Sequence, residues 1–188
     1  EKYGRILQTI KDEIKFVVDR TINFVIEGES LTAMTKSSGI AVSEFSTAFE
    51  ELKPDVVLVI ADRFECLPIA MAAAYMNIAV AHIEGGEISG TVDELIRHAV
   101  SKLSHIHFTA NDEAKERLIQ LGEAKDSIFT IGSPDIEIMT SVELPTIEAV
   151  LKYYEIPFRD FGVLIFHPIT TELDTLKDQI DQIVSSLI

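Results

Sequence analysis

Cysteine is nearly missing from this sequence, with Cys66 the single example. One thiol cannot close an intrachain disulfide or supply a cysteine-based metal site. Its uncharged surroundings, CLPIAMAAAYMNIAVA, read as a buried thiol in a reducing compartment. Basic residues are also scarce: 16 Lys and Arg stand against 31 Asp and Glu, a formal charge of −15. That sign disfavours nucleic acid and anionic membranes, whose phosphates demand a basic patch. A small phosphorylated ligand held by a few local donors stays compatible with it. Long apolar runs are few. Only Cys66 to Ile83 approaches membrane length, and Pro68, Asn77 and His82 interrupt it. The opening EKYGRILQTIKDEIK does not read as a signal peptide. Repeats and low-complexity tracts are absent as well, so a soluble, cytoplasmic protein is expected.

What is present supports a packed core. Of 188 residues, 47% are apolar, enough for one large domain or one and a half small ones. VVLVIA, positions 56–61, is a short apolar run following Pro54 and Asp55, the pattern of a parallel strand buried on both faces. An Ala- and Met-rich helix at 65–76 and a strand at 78–83 follow, then a glycine turn and a helix near 92–103. Strands at 105–109 and 126–132 flank a helix opened by Asn111 and closed by Gly122, and SPDIEIM starts a short helix at Pro134. Upstream, the patterning predicts helix at 3–14, a strand at 22–26 and a long helix over 31–52 that contains Gly39. Strands alternating with helices in this way predict a Rossmann-like, doubly wound α/β sheet. A boundary is expected near 140–160, followed by a new strand at 161–166 and a helix from 171. One strand and one helix cannot bury their own faces, which points to packing on the first domain, another subunit or further sequence.

Ligands of open parallel sheets bind where the strands end. Three expected strand ends carry reactive side chains: Asp62–Arg63, Glu84–Gly85–Gly86 and His167–Pro168. Asp62 and Arg63 read either as a local ion pair or as a substrate-facing carboxylate beside a phosphate-binding guanidinium. His82 and Glu84, two apart, are expected to share a strand face. H-x-E also opens the zinc deaminase signature, but that needs a downstream P-C-x-x-C, and the sole cysteine lies upstream. Gly85 and Gly86 form either a plain turn or a phosphate cradle; neither a Walker lysine pattern nor G-x-G-x-x-G accompanies them. Thr91 and Glu94 match a capping box. Asp93 then falls in the first helical turn, where complementing the helix dipole alone is worth roughly 0.3–1 kcal/mol. Arg97 lies one turn on, within side-chain reach, with His98 beside it. His105 and His107 are strand-spaced and read as ordinary strand histidines, so no metal is expected. His167 precedes a helix that Thr170 or Thr171 can cap, a natural place to meet an anion.

Together, DRFE, HIEGGE, GTVDELIRHAVSKLSH and FHPITTE, in that order, resemble the hydrolysing UDP-N-acetylglucosamine 2-epimerases of sialic acid biosynthesis. The likeness runs from about Gly39 to Glu172 and favours the hydrolysing branch over the non-hydrolysing one, which differs after the H-x-E. It implies a GT-B architecture, with an N-terminal domain over 1–142 and a linker plus the first βα unit of a second domain over 143–188. Family chains are considerably longer, so this chain alone is not expected to turn over. The resemblance implies catalytic positions at Asp62, Glu84, Asp93 and His167, with Arg63 near the diphosphate and His82 beside the sugar. Gly86 and Arg97 are further substrate-binding candidates. The implied partner is UDP-GlcNAc, with no metal or other cofactor, in a homodimer or tetramer. Competing readings are a related epimerase of a di-N-acetylated bacillosamine nucleotide, a GT-B glycosyltransferase and a non-catalytic binding domain.

Overall fold

The computed structural model describes residue 10 and residues 17–28, 30–90, 92–142, 144–167 and 173–187. The expected helix at 3–14, Thr91 of the capping box, and Thr170 and Thr171 lie outside these, apart from Ile10. The chain divides into two compact units, residues 1–134 and 135–188.

The first unit begins with a long helix, α1 (Leu31–Leu52). Ser30 caps it by accepting a 3.1 Å hydrogen bond from the Ala33 amide. Ala33, Ser37, Ala41 and Ala48 form its buried stripe, at spacings close to one or two helical turns. Gly39 sits on the exposed side and does not break the helix. Lys53 stops it in the left-handed conformation at φ 48°. Strand β1 (Val56–Ile60), helix α2 (Cys66–Tyr75), strand β2 (Ala79–Ile83) and helix α3 (Val92–Leu103) follow. Strand β3 (Ile106–Thr109), helix α4 (Asp112–Gln120) and strand β4 (Ile128–Thr130) complete the unit. All pairings are parallel, in the order β1-β2-β3-β4. The parallel α/β alternation is as expected; the doubly wound arrangement, with helices on both faces, is not seen among the described residues.

One expectation about the strands is overturned. β1 is not buried on both faces: Val57 and Val59 are buried, while Val56, Leu58 and Ile60 are about half exposed. The core of Phe49, Val57, Val59, Cys66, Val80, Ile96 and Val100 collects under α1, α2 and α3 on one face. Among the described residues no helix of this unit covers the other face, so the strand shows the alternation of a one-sided sheet.

Two expected strands do not form among the described residues. Residues 22–26 have no ladder partners among the described residues; the Ile26 amide donates to Ser37 Oγ on α1, at 2.8 Å, and Phe24 packs edge-on against Phe45. Residues 161–166, in the second unit, are likewise irregular. A strand is a relation between two segments, and β-rich composition alone does not create the neighbour. The second unit holds α5 (Pro134–Met139), whose first residue closes the first unit, α6 (Ile147–Tyr153) and α7 (Leu176–Leu187). α6 was not expected. Thr146 caps it by accepting from the Ala149 amide at 3.3 Å.

Candidate active site

The site is built where β1 and β2 leave the sheet. Each strand passes one residue beyond its last pairing before turning. The Ala61 amide donates to the Ile83 carbonyl at 2.9 Å, and the Glu84 amide donates to the Phe108 carbonyl at 2.8 Å. Both residues then adopt positive φ, 60° for Ala61 and 63° for Glu84. That conformation costs a residue with a Cβ roughly 1–2 kcal/mol, so neighbouring contacts must hold it. The turn at Glu84 also corrects the expectation that His82 and Glu84 share a face. Strand alternation ends at Ile83, before Glu84.

At the β1 exit, the contacts that hold the turn are visible. The Cys66 thiol donates to the Ile60 carbonyl at 3.1 Å, and the Cys66 amide to the Arg63 carbonyl at 2.8 Å. Burial pushes the thiol pKa up, keeping it protonated and able to donate. His82 Nε2 lies 2.9 Å from the Ala61 carbonyl, and its Nδ1 lies 3.1 Å from Ser101 Oγ on α3. A carbonyl only accepts, so Nε2 carries the proton and Nδ1 accepts from the Ser101 hydroxyl. The ring is fully buried, and burial pushes its pKa down to about 4. His82 is therefore a neutral interior residue with both nitrogens engaged. The sugar contact implied for it is not available in this arrangement.

Asp62, one residue on, pairs with Arg97 of α3. Arg97 is buried, and its Nε and Nη1 have no hydrogen-bond partner among the described residues. A buried guanidinium needs its counter-charge, since removing one partner of such a pair costs on the order of 3–5 kcal/mol. Asp62 keeps partial exposure and faces the strand ends. Arg63 is largely exposed, with its Nη2 2.9 Å from a Glu65 carboxylate oxygen. Asp62 thus pairs with Arg97, 35 residues away, and Arg63 with Glu65, two residues on.

The glycines have a packing reason. A Cβ on Gly86, at φ 82°, would stand 2.3 Å from the Ala114 carbonyl oxygen of α4. Its own carbonyl accepts from Arg117 at 3.0 Å. A Cβ on Gly85 would stand 2.9 Å from both His82 Nδ1 and Ser101 Oγ. Both glycines are required by close approach, and the turn they form lets helices seat against the strand exit.

Asp93 is exposed in the first turn of α3 beside Glu94, where the helix dipole favours carboxylates. Glu94 accepts from the Ser89 amide at 2.9 Å and lies 4.0 Å from His98. His167 belongs to the second unit and is exposed there in irregular chain.

Away from these strand exits, His105 Nδ1 accepts from the Val80 amide at 3.2 Å. His107 is fully buried 3.3 Å from Glu123, itself 2.6 Å from Lys102, and burial depresses the His107 pKa against the opposing pull of that carboxylate. Among the described residues no group of three His, Cys, Asp or Glu side chains could hold a metal ion. Nor is any described helix long and apolar enough to cross a membrane. Sequence reasoning missed Ser101 and Ala61. Ser101 was visible in principle, being one helical turn beyond Arg97.

Comparison with known proteins gives the family and the fold. The family model described as UDP-N-acetylglucosamine 2-epimerase matches residues 2–188. A UDP-N-acetylglucosamine 2-epimerase of Neisseria meningitidis serogroup B is 43% identical over 86% of this chain and 42% of its own length. A hydrolyzing UDP-N,N'-diacetylbacillosamine 2-epimerase of Legionella pneumophila is 37% identical over 98% of this chain and 49% of its own length. The chain thus spans just under half of each of these relatives. The crystal structure of a Neisseria meningitidis UDP-GlcNAc 2-epimerase bound to UDP-GlcNAc superposes with a TM-score of 0.62 at 26% identity, over 71% of this chain and 37% of that one.

Proposed function

This chain belongs to the UDP-N-acetylglucosamine 2-epimerase family, and from that premise we propose that its protein is the hydrolysing enzyme. It converts UDP-GlcNAc and water to N-acetylmannosamine and UDP, as the resemblance to the sialic acid enzymes implies. The observation that carries this reading is the strand-end constellation: Asp62 paired to a buried Arg97, and Glu84 on a left-handed turn at the next strand.

The chemistry needs such a constellation. The hydrogen at C2 of the sugar is too weakly acidic for simple deprotonation. Removing it while the C1–O bond to UDP breaks gives a glycal, with the electron pair of the C–H bond forming the C1–C2 double bond. Water then adds, a proton to C2 from the opposite face and hydroxide to C1, releasing the inverted free sugar. Glu84 and Asp93 act as the base and acid of these steps, and Asp62 stabilises positive charge developing on the ring. Arg63 and His167 meet the departing diphosphate; Gly86 shapes the turn beneath it, and Arg97 serves the substrate through Asp62. No metal or redox cofactor enters the scheme.

We place the protein in the cytoplasm, where a lone buried thiol persists reduced, and as a homo-oligomer built on a two-domain GT-B frame with the second domain beginning near 143. The second reading, a bacillosamine-type substrate, is favoured by the Legionella relative that spans nearly the whole chain. The test is to offer the full-length protein both nucleotide sugars and identify products by NMR. Consumption of UDP-GlcNAc with release of N-acetylmannosamine and UDP supports the first reading; selective consumption of the diacetylated sugar supports the second. Glu84→Gln should abolish UDP release. Near-normal release from that variant would remove Glu84 from the mechanism.

A further inference from the structure

Two hydrogen bonds link α3 to the residue that precedes Asp62. Ser101 donates to His82 Nδ1, His82 Nε2 donates to the Ala61 carbonyl, and Ala61 holds the left-handed turn from which Asp62 reaches Arg97. Arg97 and Ser101 are four residues apart, one turn on the same face of α3. One helix thus grips the β1 exit twice, once at the Asp62 side chain and once, through the imidazole, at the backbone before it. Gly85 lies against the contact between ring and hydroxyl, where any Cβ would force them apart. Alanine has no preference for the left-handed region, so the turn depends on what grips its peptide group.

We propose that His82 is a positioning residue for Asp62: its ring, oriented by Ser101, holds the Ala61 carbonyl and so sets the carboxylate in place. This rests on the reading of Asp62 as a participant in sugar release, and it goes beyond that reading by assigning His82 a part without substrate contact. A satisfied core histidine with no such part is the competing explanation, and two substitutions separate them. Gln carries its amide nitrogen near the place of Nε2 and retains the donor to Ala61. Asn carries its amide near the place of Nδ1, retaining the Ser101 contact and losing that donor.

The experiment measures UDP release by the full-length protein carrying His82→Gln, His82→Asn, Asp62→Asn and the double variant His82→Asn/Asp62→Asn, with crystal structures of the two His82 variants. Misplacing a reacting group by about 1 Å can cost about 10²-fold in rate. A loss of about that size in kcat is expected for His82→Asn, with KM little changed and most of the rate recovered in His82→Gln. In the Asp62→Asn background His82→Asn should add no further loss, because its effect passes through that carboxylate. Equal losses in the Gln and Asn variants, or full additivity with Asp62→Asn, would overturn the proposal. The crystal structures keep the two claims apart. If Asp62→Asn keeps the wild-type rate, the catalytic reading of Asp62 fails; an intact Ala61 turn and Asp62–Arg97 pair in His82→Asn would instead sink the positioning role. Should His82→Asn fail to fold, Ser101→Ala takes its place, with a smaller kcat loss expected that again vanishes in Asp62→Asn.

Discussion

Acidification should weaken the first unit through His82 in a way that a single substitution removes. The imidazole is held neutral in the interior, its pKa pushed from 6.5 down to about 4 chiefly by burial. Unfolding returns it to water and to its ordinary value. At pH 7 both states are mostly unprotonated and the residue contributes little pH dependence. As pH falls below 6.5 the unfolded chain takes up a proton that the folded ring refuses, so stability drains away until the folded ring also titrates near 4. At 1.36 kcal/mol per pH unit, the loss between pH 7 and pH 5 comes to roughly 2 kcal/mol, and about 3 kcal/mol by pH 4. His107, depressed in the same direction by burial, adds its own slope, so the informative quantity is a difference. Urea denaturation of wild type and His82→Gln at pH 7, 6 and 5, followed by far-UV circular dichroism, isolates it. Wild type should lose about 2 kcal/mol more than the variant across that range. Parallel slopes would show that the ring is not buried neutral, and the tautomer assigned to it would fall with that result.

Other outcomes follow from the packing. Gly86→Ala meets both a left-handed backbone and the Ala114 carbonyl 2.3 Å away, and should cost about 3 kcal/mol or more. Gly122→Ala has φ 90° but open space around it, and should cost only about 1–2 kcal/mol; comparable losses in denaturation would refute the steric argument. Asn111→Ala removes the cap that accepts from the Ala114 amide at 2.8 Å. It should cost about 1 kcal/mol, with hydrogen exchange faster at the first amides of α4, and unchanged exchange there would contradict the capping role.

The part of the chain from 56 to 139 was readable because its signals are local. VVLVIA, the Asn111 cap and Pro134 each mark an element within a few residues. Segments 22–26 and 161–166 looked equally like strands, but pairing depends on a neighbour that composition cannot supply. The same limit applies to the one-sided sheet, since burial of Val56, Leu58 and Ile60 depends on what lies across from them. At the site, sequence reasoning reached Asp62, Glu84, Asp93 and Arg97 through strand ends and helix spacing. It missed that Asp62 joins Arg97, 35 residues away, because such a contact is made by the fold. The left-handed turn at Ala61 was also invisible, as alanine carries no mark of it. HIEGGEISGTVDELIRH looked ambiguous in its glycines; their close contacts with α4, His82 and Ser101 give each a packing reason.

The measurement closest to the central claim is the reaction of the full-length protein with UDP-GlcNAc in D2O, followed by ¹H NMR. Elimination and hydration through a glycal require the C2 proton to come from solvent. Free N-acetylmannosamine bearing deuterium at C2, formed together with an equal amount of UDP, is the expected result. Recovery of UDP-N-acetylmannosamine with the nucleotide still attached, or of a free sugar that keeps its original C2 hydrogen, would contradict the hydrolysing epimerase assignment.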